Sequence, residues 1–175
     1  MVYFRAKKAL TSHGQSCLSE SLLSYLVLPD GVRFISSDDM GKEFKTGEDL
    51  MDRYDLSYYY RRSLEPGTIV MVLEHNQEVA GLSLLVVDGN TLTIEMLAKN
   101  MNVKRSGVGA EILGCIEETI ADQLMVNEIR LESLNRKKLL NFYNRMGFIS
   151  YGPLSLDREW GIIFPMRKRI VSLEN

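Results

Sequence analysis

Cysteine and histidine are scarce in this sequence, with two of each among 175 residues. Cys17 and Cys115 stand far apart, show no Cys-x-x-Cys spacing and have no neighbouring histidine. A disulfide framework and a zinc site are therefore excluded, and the chain reads as a protein of the reduced, cytoplasmic compartment. His13 and His75 are isolated, which leaves a Ser-His-Asp triad or a histidine-built metal centre without support. A dominant charge sign is lacking as well. The net charge is −2, so no overall basic field exists to hold nucleic acid or an anionic membrane. Long apolar runs are missing: the stretch Leu22–Leu28 is interrupted by Ser24 and is far too short to span a bilayer. Arg5, Lys7 and Lys8 lead into Thr11-Ser12-His13-Gly14 rather than an apolar segment, so no signal peptide is expected.

What is present suits an ordinary globular protein. Apolar residues make up 45% and charged residues 25%, and the length fits one domain with a real core. Residues 1–30 read as an N-terminal extension, with a helix near Ser19–Leu28 stopped by Pro29-Asp30-Gly31. Val32–Ser36 reads as a strand, and residues 37–46 as a polar loop. From Glu48 to Leu64, Leu50, Met51, Tyr54 and Tyr58 recur at helix-face spacing. Thr68–Leu73 and Val79–Val87 are apolar strands around a His75-Asn76-Gln77 turn. Asp88-Gly89 signals a hairpin into a third strand, Thr91–Ala98. On that strand simple alternation puts Leu92, Ile94 and Met96 on one face, and Thr93, Glu95 and Leu97 on the other. A helix follows to about Gln123, with Val108, Ile112, Leu113, Ile116 and Ile120 on its inner face. Asn127–Ser133 is a strand, Lys137–Met146 a helix stopped by Gly147, and Phe148–Tyr151 and Trp160–Ile170 are closing strands. The order indicates a mixed α/β (α+β) sheet with helices packed on it.

Between the third strand and its helix lies Lys104-Arg105-Ser106-Gly107-Val108-Gly109. The start of a helix leaves backbone N–H groups unpaired at the positive end of its dipole, and glycines let an anion approach them. Taken alone, the glycines fit either such an anion site or an ordinary tight turn. A P-loop is excluded because no Gly-Lys-Ser/Thr closes the motif. A dinucleotide fold is disfavoured because three strands precede the motif and Ile112 stands where a third glycine would be wanted.

A second motif, Phe142-Tyr143-Asn144-Arg145-Met146-Gly147-Phe148, follows one strand later. With both in hand, residues 68–170 resemble the GNAT superfamily of N-acetyltransferases. That family carries Arg/Gln-x-x-Gly-x-Gly/Ala and then Phe/Leu-Tyr-x-x-x-Gly-Phe in this order, and Lys104 departs mildly from the first. The resemblance implies a mixed, mostly antiparallel sheet of about six to seven strands. It also implies a central, splayed parallel pair from about Thr91 and Asn127, flanked by about four helices. Acetyl-CoA, as acyl donor, would lie in the splay. Backbone groups of Leu97 and Lys99 would pair with its pantetheine arm, and Ala98 between them would also belong to the binding site. Lys104, Arg105, Ser106, Gly107, Val108, Gly109 and Ala110 would hold the diphosphate, and Asn135 would make a weaker pantetheine contact.

The implied activity is transfer of an acetyl group from acetyl-CoA directly to a primary amine. Tyr143 matches the tyrosine that protonates the leaving thiolate, a backbone N–H near Leu97 would hold the oxyanion, and Glu95 or Glu132 would serve as the general base. Cys115, mid-helix and away from basic residues, reads as a small buried hydrophobe rather than an acyl carrier. The acceptor would meet residues 48–64 and 152–165. Tyr54, Tyr58, Tyr59 and Tyr60, with Asp52 and Asp55, suit a cationic amine, although a packed helix explains them equally well. Trp160 and Phe164 would wall the site or pack beside it. Arg136-Lys137-Lys138 and Arg167-Lys168-Arg169 read as solvated surface. The alternatives for them are contact with the adenosine 3′-phosphate and guidance of an RNA acceptor. Alternatives for the whole chain are an inactive acyl-CoA-binding regulator or a toxin-like acetylator of aminoacyl-tRNA; the net charge argues against nucleic acid. Dimers through the closing strands are common in the family, so the resemblance also admits a homodimer.

Overall fold

The computed structural model describes residues 26–170. Most of the segment expected as a helix over Ser19–Leu28 lies outside these residues, and Leu26–Leu28 within them is irregular. Eight strands form one sheet: β1 (Val32–Phe34), β2 (Thr68–His75), β3 (Glu78–Asp88), β4 (Thr91–Lys99), β5 (Glu128–Leu134), β6 (Ile149–Ser150), β7 (Ser155–Asp157) and β8 (Gly161–Arg169). Their order is β1-β2-β3-β4-β5-β8-β6, with β7 also paired to β8. The sheet thus has more strands than the six to seven expected, because the closing region divides into three pieces around β8. Three α-helices are described, α1 (Leu56–Ser63), α2 (Val108–Cys115) and α3 (Lys137–Arg145), where about four were expected. A π-helical turn, Ile116–Ala121, continues α2.

Local chemistry sets the first three strands. Asn76 and Gln77 both have positive φ, the geometry that a two-residue hairpin turn demands, and they join β2 to β3. Gly89 (φ 56°) opens the next two-residue loop, so that Asp88 pairs with Thr91. All neighbouring strands run antiparallel except β4 and β5.

The ladder between β3 and β4 has a bulge. Leu85 pairs with Ile94 and Leu84 with Met96, which leaves Glu95 as the extra residue. Cross-strand partners share a face, so the bulge resets the alternation. Leu92 and Ile94 stay on one face, but Leu97 joins them. Met96 moves to the face of Thr93 and Glu95. The simple alternation expected for this strand fails at Glu95 for that reason.

The expected helix over residues 48–64 is also shortened. The Asp52 carboxylate accepts hydrogen bonds from the Thr46 amide and hydroxyl, both at 2.7 Å. Burial works against its charge, but these bonds outweigh it and hold Asp52 below the usual carboxylate range. Residues 48–54 are thereby folded into turns, and the helix starts only where Asp55 caps the Tyr58 amide at 2.9 Å.

Helices α1 and α2 lie on opposite faces of the sheet. The α2 face carries Gly81, Leu85, Ile94 and Leu97, against which Val108, Ile112, Leu113, Ile116 and Ile120 are buried. Contact is so close that a Cβ on Gly81 would lie 2.3 Å from Val108 Cγ1 and 2.7 Å from Ile112 Cδ1. Gly81→Ala should therefore lower stability by about 1–3 kcal/mol through overpacking, read as a lower urea midpoint at unchanged m. An unchanged midpoint would show that α2 sits farther from the sheet.

Candidate active site

The site begins where β4 and β5 part. They pair in parallel from Thr91–Glu128 through Ile94–Leu131 and no further, although β4 continues to Lys99 and β5 to Leu134. Past the split, β4 bonds only to β3 and β5 only to β8. The Asn100 amide donates to the Ala80 carbonyl at 2.9 Å, on the β3 side. By strand alternation the backbone groups of Leu97 and Lys99 point the other way, into the gap. Those of Ala98, which pairs with Leu82, face β3. On the opposite wall the Asn135 amide donates to the Ile162 carbonyl at 3.0 Å, on the β8 side, which turns Glu132 and Leu134 toward the gap.

Asn100 fixes the chain that leaves β4. Buried to 2% exposure, its side chain donates to the Val79 and Glu43 carbonyls and accepts from the Lys45 and Asn102 amides. The loop then reaches Gly107, the N-cap of α2, at φ 76° in the left-handed region that favours glycine. No atom lies within 4 Å of the position its Cβ would take. Glu111 makes the first intrahelical bond, to the Gly107 carbonyl, and no side chain caps the helix. The amides of Val108, Gly109 and Ala110 are left facing open space.

A cavity of about 690 Å³ occupies that space. Lys99, Arg105, Ser106, Gly107, Val108, Gly109 and Ala110 line it on one side, and Arg136, Lys137, Lys138, Leu139 and Phe142 on the other. Five of these side chains are basic and none is acidic. Arg105 is braced by both oxygens of Glu111, at 2.7 and 2.8 Å, and Arg136 by Glu48 at 2.5 and 3.1 Å. The Arg136 bond holds Glu48 below the usual carboxylate range. Lys99, Lys137 and Lys138 make no ion pair among the described residues, so their charge is available to an anion. The run Arg136-Lys137-Lys138 is exposed, as expected of solvated surface, and at the start of α3 it also forms one wall of the cavity, opposite the start of α2. Arg167 and Lys168 are paired with Glu128 and Glu117.

Seven of the expected ligand-binding residues come together here. Lys104 is exposed in the loop but does not line the cavity, and Leu97 is buried beyond the split. Asn135 is exposed, with its amide spent on β8. Tyr143 is fully buried, edge-on to Phe142 (5.0 Å between ring centroids) and to Phe148 (5.8 Å). Burial pushes its phenol well above 10, so the group holds its proton. Phe142, one residue before it, takes the cavity wall. Glu95 and Glu132 both lie on the α1 face where β4 and β5 part, since Thr93 pairs with Arg130 and faces alternate from there. Glu95 bonds Arg62 of α1 at 2.9 Å, a partner that its distance in sequence hid. The cavity on the α2 face and the carboxylates on the α1 face thus meet through the gap. Among the described residues no cluster of three or more His, Cys, Asp or Glu could hold a metal.

The model of the acetyltransferase (GNAT) domain matches residues 39–170 of this chain. No curated protein sequence matches it. Among solved structures, the chain is similar to Ard1 from Thermoplasma volcanium, at 15% identity and a TM-score of 0.65, over 81% of this chain and 97% of that one. It is similar to the ribosomal-protein-S18-alanine N-acetyltransferase from Escherichia coli at 14% identity and a TM-score of 0.63, over 82% and 96% of the two chains. A third likeness is to an aminoglycoside 6′-N-acetyltransferase complexed with coenzyme A, at 13% identity and a TM-score of 0.57, over 69% and 82%. At these identities the likeness concerns the fold.

Gly107→Ala tests the amide cradle. The strained φ costs about 1–2 kcal/mol in stability, and the added methyl points into the open cavity mouth. Titration calorimetry should show coenzyme A binding weakened more than about tenfold, beside a modest fall in melting temperature. Unchanged affinity would mean that the helix start does not touch the ligand.

Proposed function

The chain belongs to the GNAT acetyltransferase family, and from that premise we propose that it transfers an acetyl group from acetyl-CoA directly to a primary amine. The observation that carries this reading is the coincidence of three features at one place. Uncapped amides start α2, a basic cavity without acidic lining runs from Lys99 at the end of β4 to the start of α3, and β4 and β5 stop pairing after Ile94 and Leu131. A diphosphate suits the amides and the lysines. A pantetheine arm, with its own amide groups, suits the backbone of Leu97 and Lys99. Lys137, Lys138 and Arg136 are positioned for the further phosphate of coenzyme A. The scarcity of cysteine supports a reduced, cytoplasmic setting, and no described helix is long and apolar enough to cross a membrane.

In the proposed reaction, the amine nitrogen attacks the thioester carbonyl carbon. The C–N bond forms, the C–S bond breaks, and coenzyme A leaves as a thiolate. A lysine-like amine is charged at neutral pH and must first lose a proton. We assign that proton to Glu95, which lies on the α1 face just beyond the last β4–β5 pair. Glu132, across the gap on the same face, is the competing base. The Leu97 amide is assigned to the oxyanion. Tyr143 is assigned to the leaving thiolate from its place in the motif and its ring contact with the cavity residue Phe142; burial, which raises its phenol, makes it a weaker donor than a free tyrosine. Cys115 is buried, and burial raises its thiol, which favours direct transfer over an acyl-enzyme.

Two observations favour a second reading, an acyl-CoA-binding regulator without turnover: Tyr143 does not line the cavity, and Glu95 is already ion-paired. Both readings predict that acetyl-CoA at a hundred times its Kd stabilises the chain by about 2.7 kcal/mol. Only the enzyme releases thiol when a primary amine is added. Glu95→Gln and Tyr143→Phe should each lower kcat about 100-fold, the lower end for a general base or acid, with the Kd for acetyl-CoA unchanged. Acetyl-CoA binding with no thiol release across a broad panel of amines would establish the regulator instead.

A further inference from the structure

We infer that Arg62 is a positioning residue for the proposed base, tying Glu95 to the helix that faces the acceptor. The inference rests on the acetyl-transfer reading above. Glu95 is the extra residue of the β4 bulge and follows directly on Ile94, the last β4 residue paired with β5. A bulge residue has no cross-strand partner to fix it, so its side chain needs another restraint. Arg62 supplies one from the second turn of α1. Its Nη2 donates to Glu95 Oε2 at 2.9 Å, its Nη1 to the Tyr58 hydroxyl at 3.3 Å, and its Nε to Glu65 Oε2 at 3.0 Å. The Arg62 and Glu95 side chains are 22% and 20% exposed, so the pair is only partly open to water. Burial works against the charge on Arg62, and its bond to Tyr58 and the charge of Glu95 outweigh it, holding the guanidinium protonated.

The arrangement engages one carboxylate oxygen and leaves the other free. Glu95 Oε1 makes no hydrogen bond among the described residues, which is what a proton acceptor requires. Tyr58 also packs on Tyr54 and Tyr59, with ring centroids 4.5 and 5.1 Å apart. Arg62 therefore fixes the carboxylate to the aromatic cluster of Tyr54, Tyr58 and Tyr59. Glu65, 56% exposed, holds the guanidinium from outside and touches nothing in the gap.

The test measures kcat, KM for the amine and Kd for acetyl-CoA in the full chain, using whichever primary amine gives the fastest thiol release. Arg62→Ala should lower kcat at least tenfold and leave the Kd for acetyl-CoA within twofold. Arg62→Lys, which can still pair with Glu95, should recover most of that loss, and Glu65→Ala should stay within threefold of wild type. The Glu95→Gln/Arg62→Ala double variant should be no slower than Glu95→Gln alone, because Arg62 acts through Glu95. A kcat for Arg62→Ala equal to wild type would overturn the inference, as would a double variant slowed by the full product of the two single effects. Either result, with Glu95→Gln still impaired, leaves the acetyl-transfer reading standing. A wild-type chain that binds acetyl-CoA but releases no thiol with any amine overturns that reading, and the inference with it.

Discussion

Two parallel strands that stop pairing halfway along leave backbone donors and acceptors without partners inside a sheet. Unpaired backbone groups away from water are costly, so such a gap persists only where something else satisfies them. The rest of this structure follows from the parting of β4 and β5 after Ile94 and Leu131. Flanking ladders to β3 and β8 hold the walls of the gap apart. β5 leads within three residues into α3, and β4 leads through the loop of residues 100–107 into α2, so the starts of both helices line one cavity. A ligand that offers amides to the strands and phosphates to the helices answers both demands at once.

Around that gap, each neighbouring feature has a physical purpose. The bulge after Ile94 leaves Glu95 on the α1 face at the point where the gap opens and moves Leu97 to the core face of α2. Gly81 lets α2 press against the sheet, which brings its uncapped start over the end of β4. Asn100 makes four hydrogen bonds, to Val79 of β3, to Glu43 and Lys45 of the segment before α1 and to Asn102 of its own loop, so the start of the loop that leads to the cradle is anchored by a buried amide. Glu48 reaches from the turns before α1 to Arg136 at the cavity wall, a direct electrostatic link between the two sides of the sheet.

Much of this was legible in the residues because it is local. Positive φ at Gly107 and the unpaired amides after it follow from a strand-glycine-helix sequence. The inner faces of α2 and α3 follow from helical spacing. Hairpin turns at Asn76-Gln77 and Gly89 follow from residue chemistry. The misreadings share one cause, a determinant distant in sequence or in register. Met96 and Leu97 were expected on the wrong faces because a bulge is set by the partner strand, not by alternation. The helix expected from Glu48 lost its first part to the bonds that Asp52 makes with Thr46. Arg136, Lys137 and Lys138 are exposed as expected, but a charge run alone does not reveal that it stands opposite another helix start. The Arg62–Glu95 pair joins residues 33 apart, and no pattern in the chain announces it.

The central claim is that amides at the start of α2 and along the free edge of β4 hold an acyl-CoA. Backbone amide NMR during a titration with coenzyme A tests it most directly. The account predicts large, saturable shifts at Val108, Gly109, Ala110, Leu97 and Lys99, with β1 and β2 little changed. Saturable binding that leaves those five amides unmoved would contradict it.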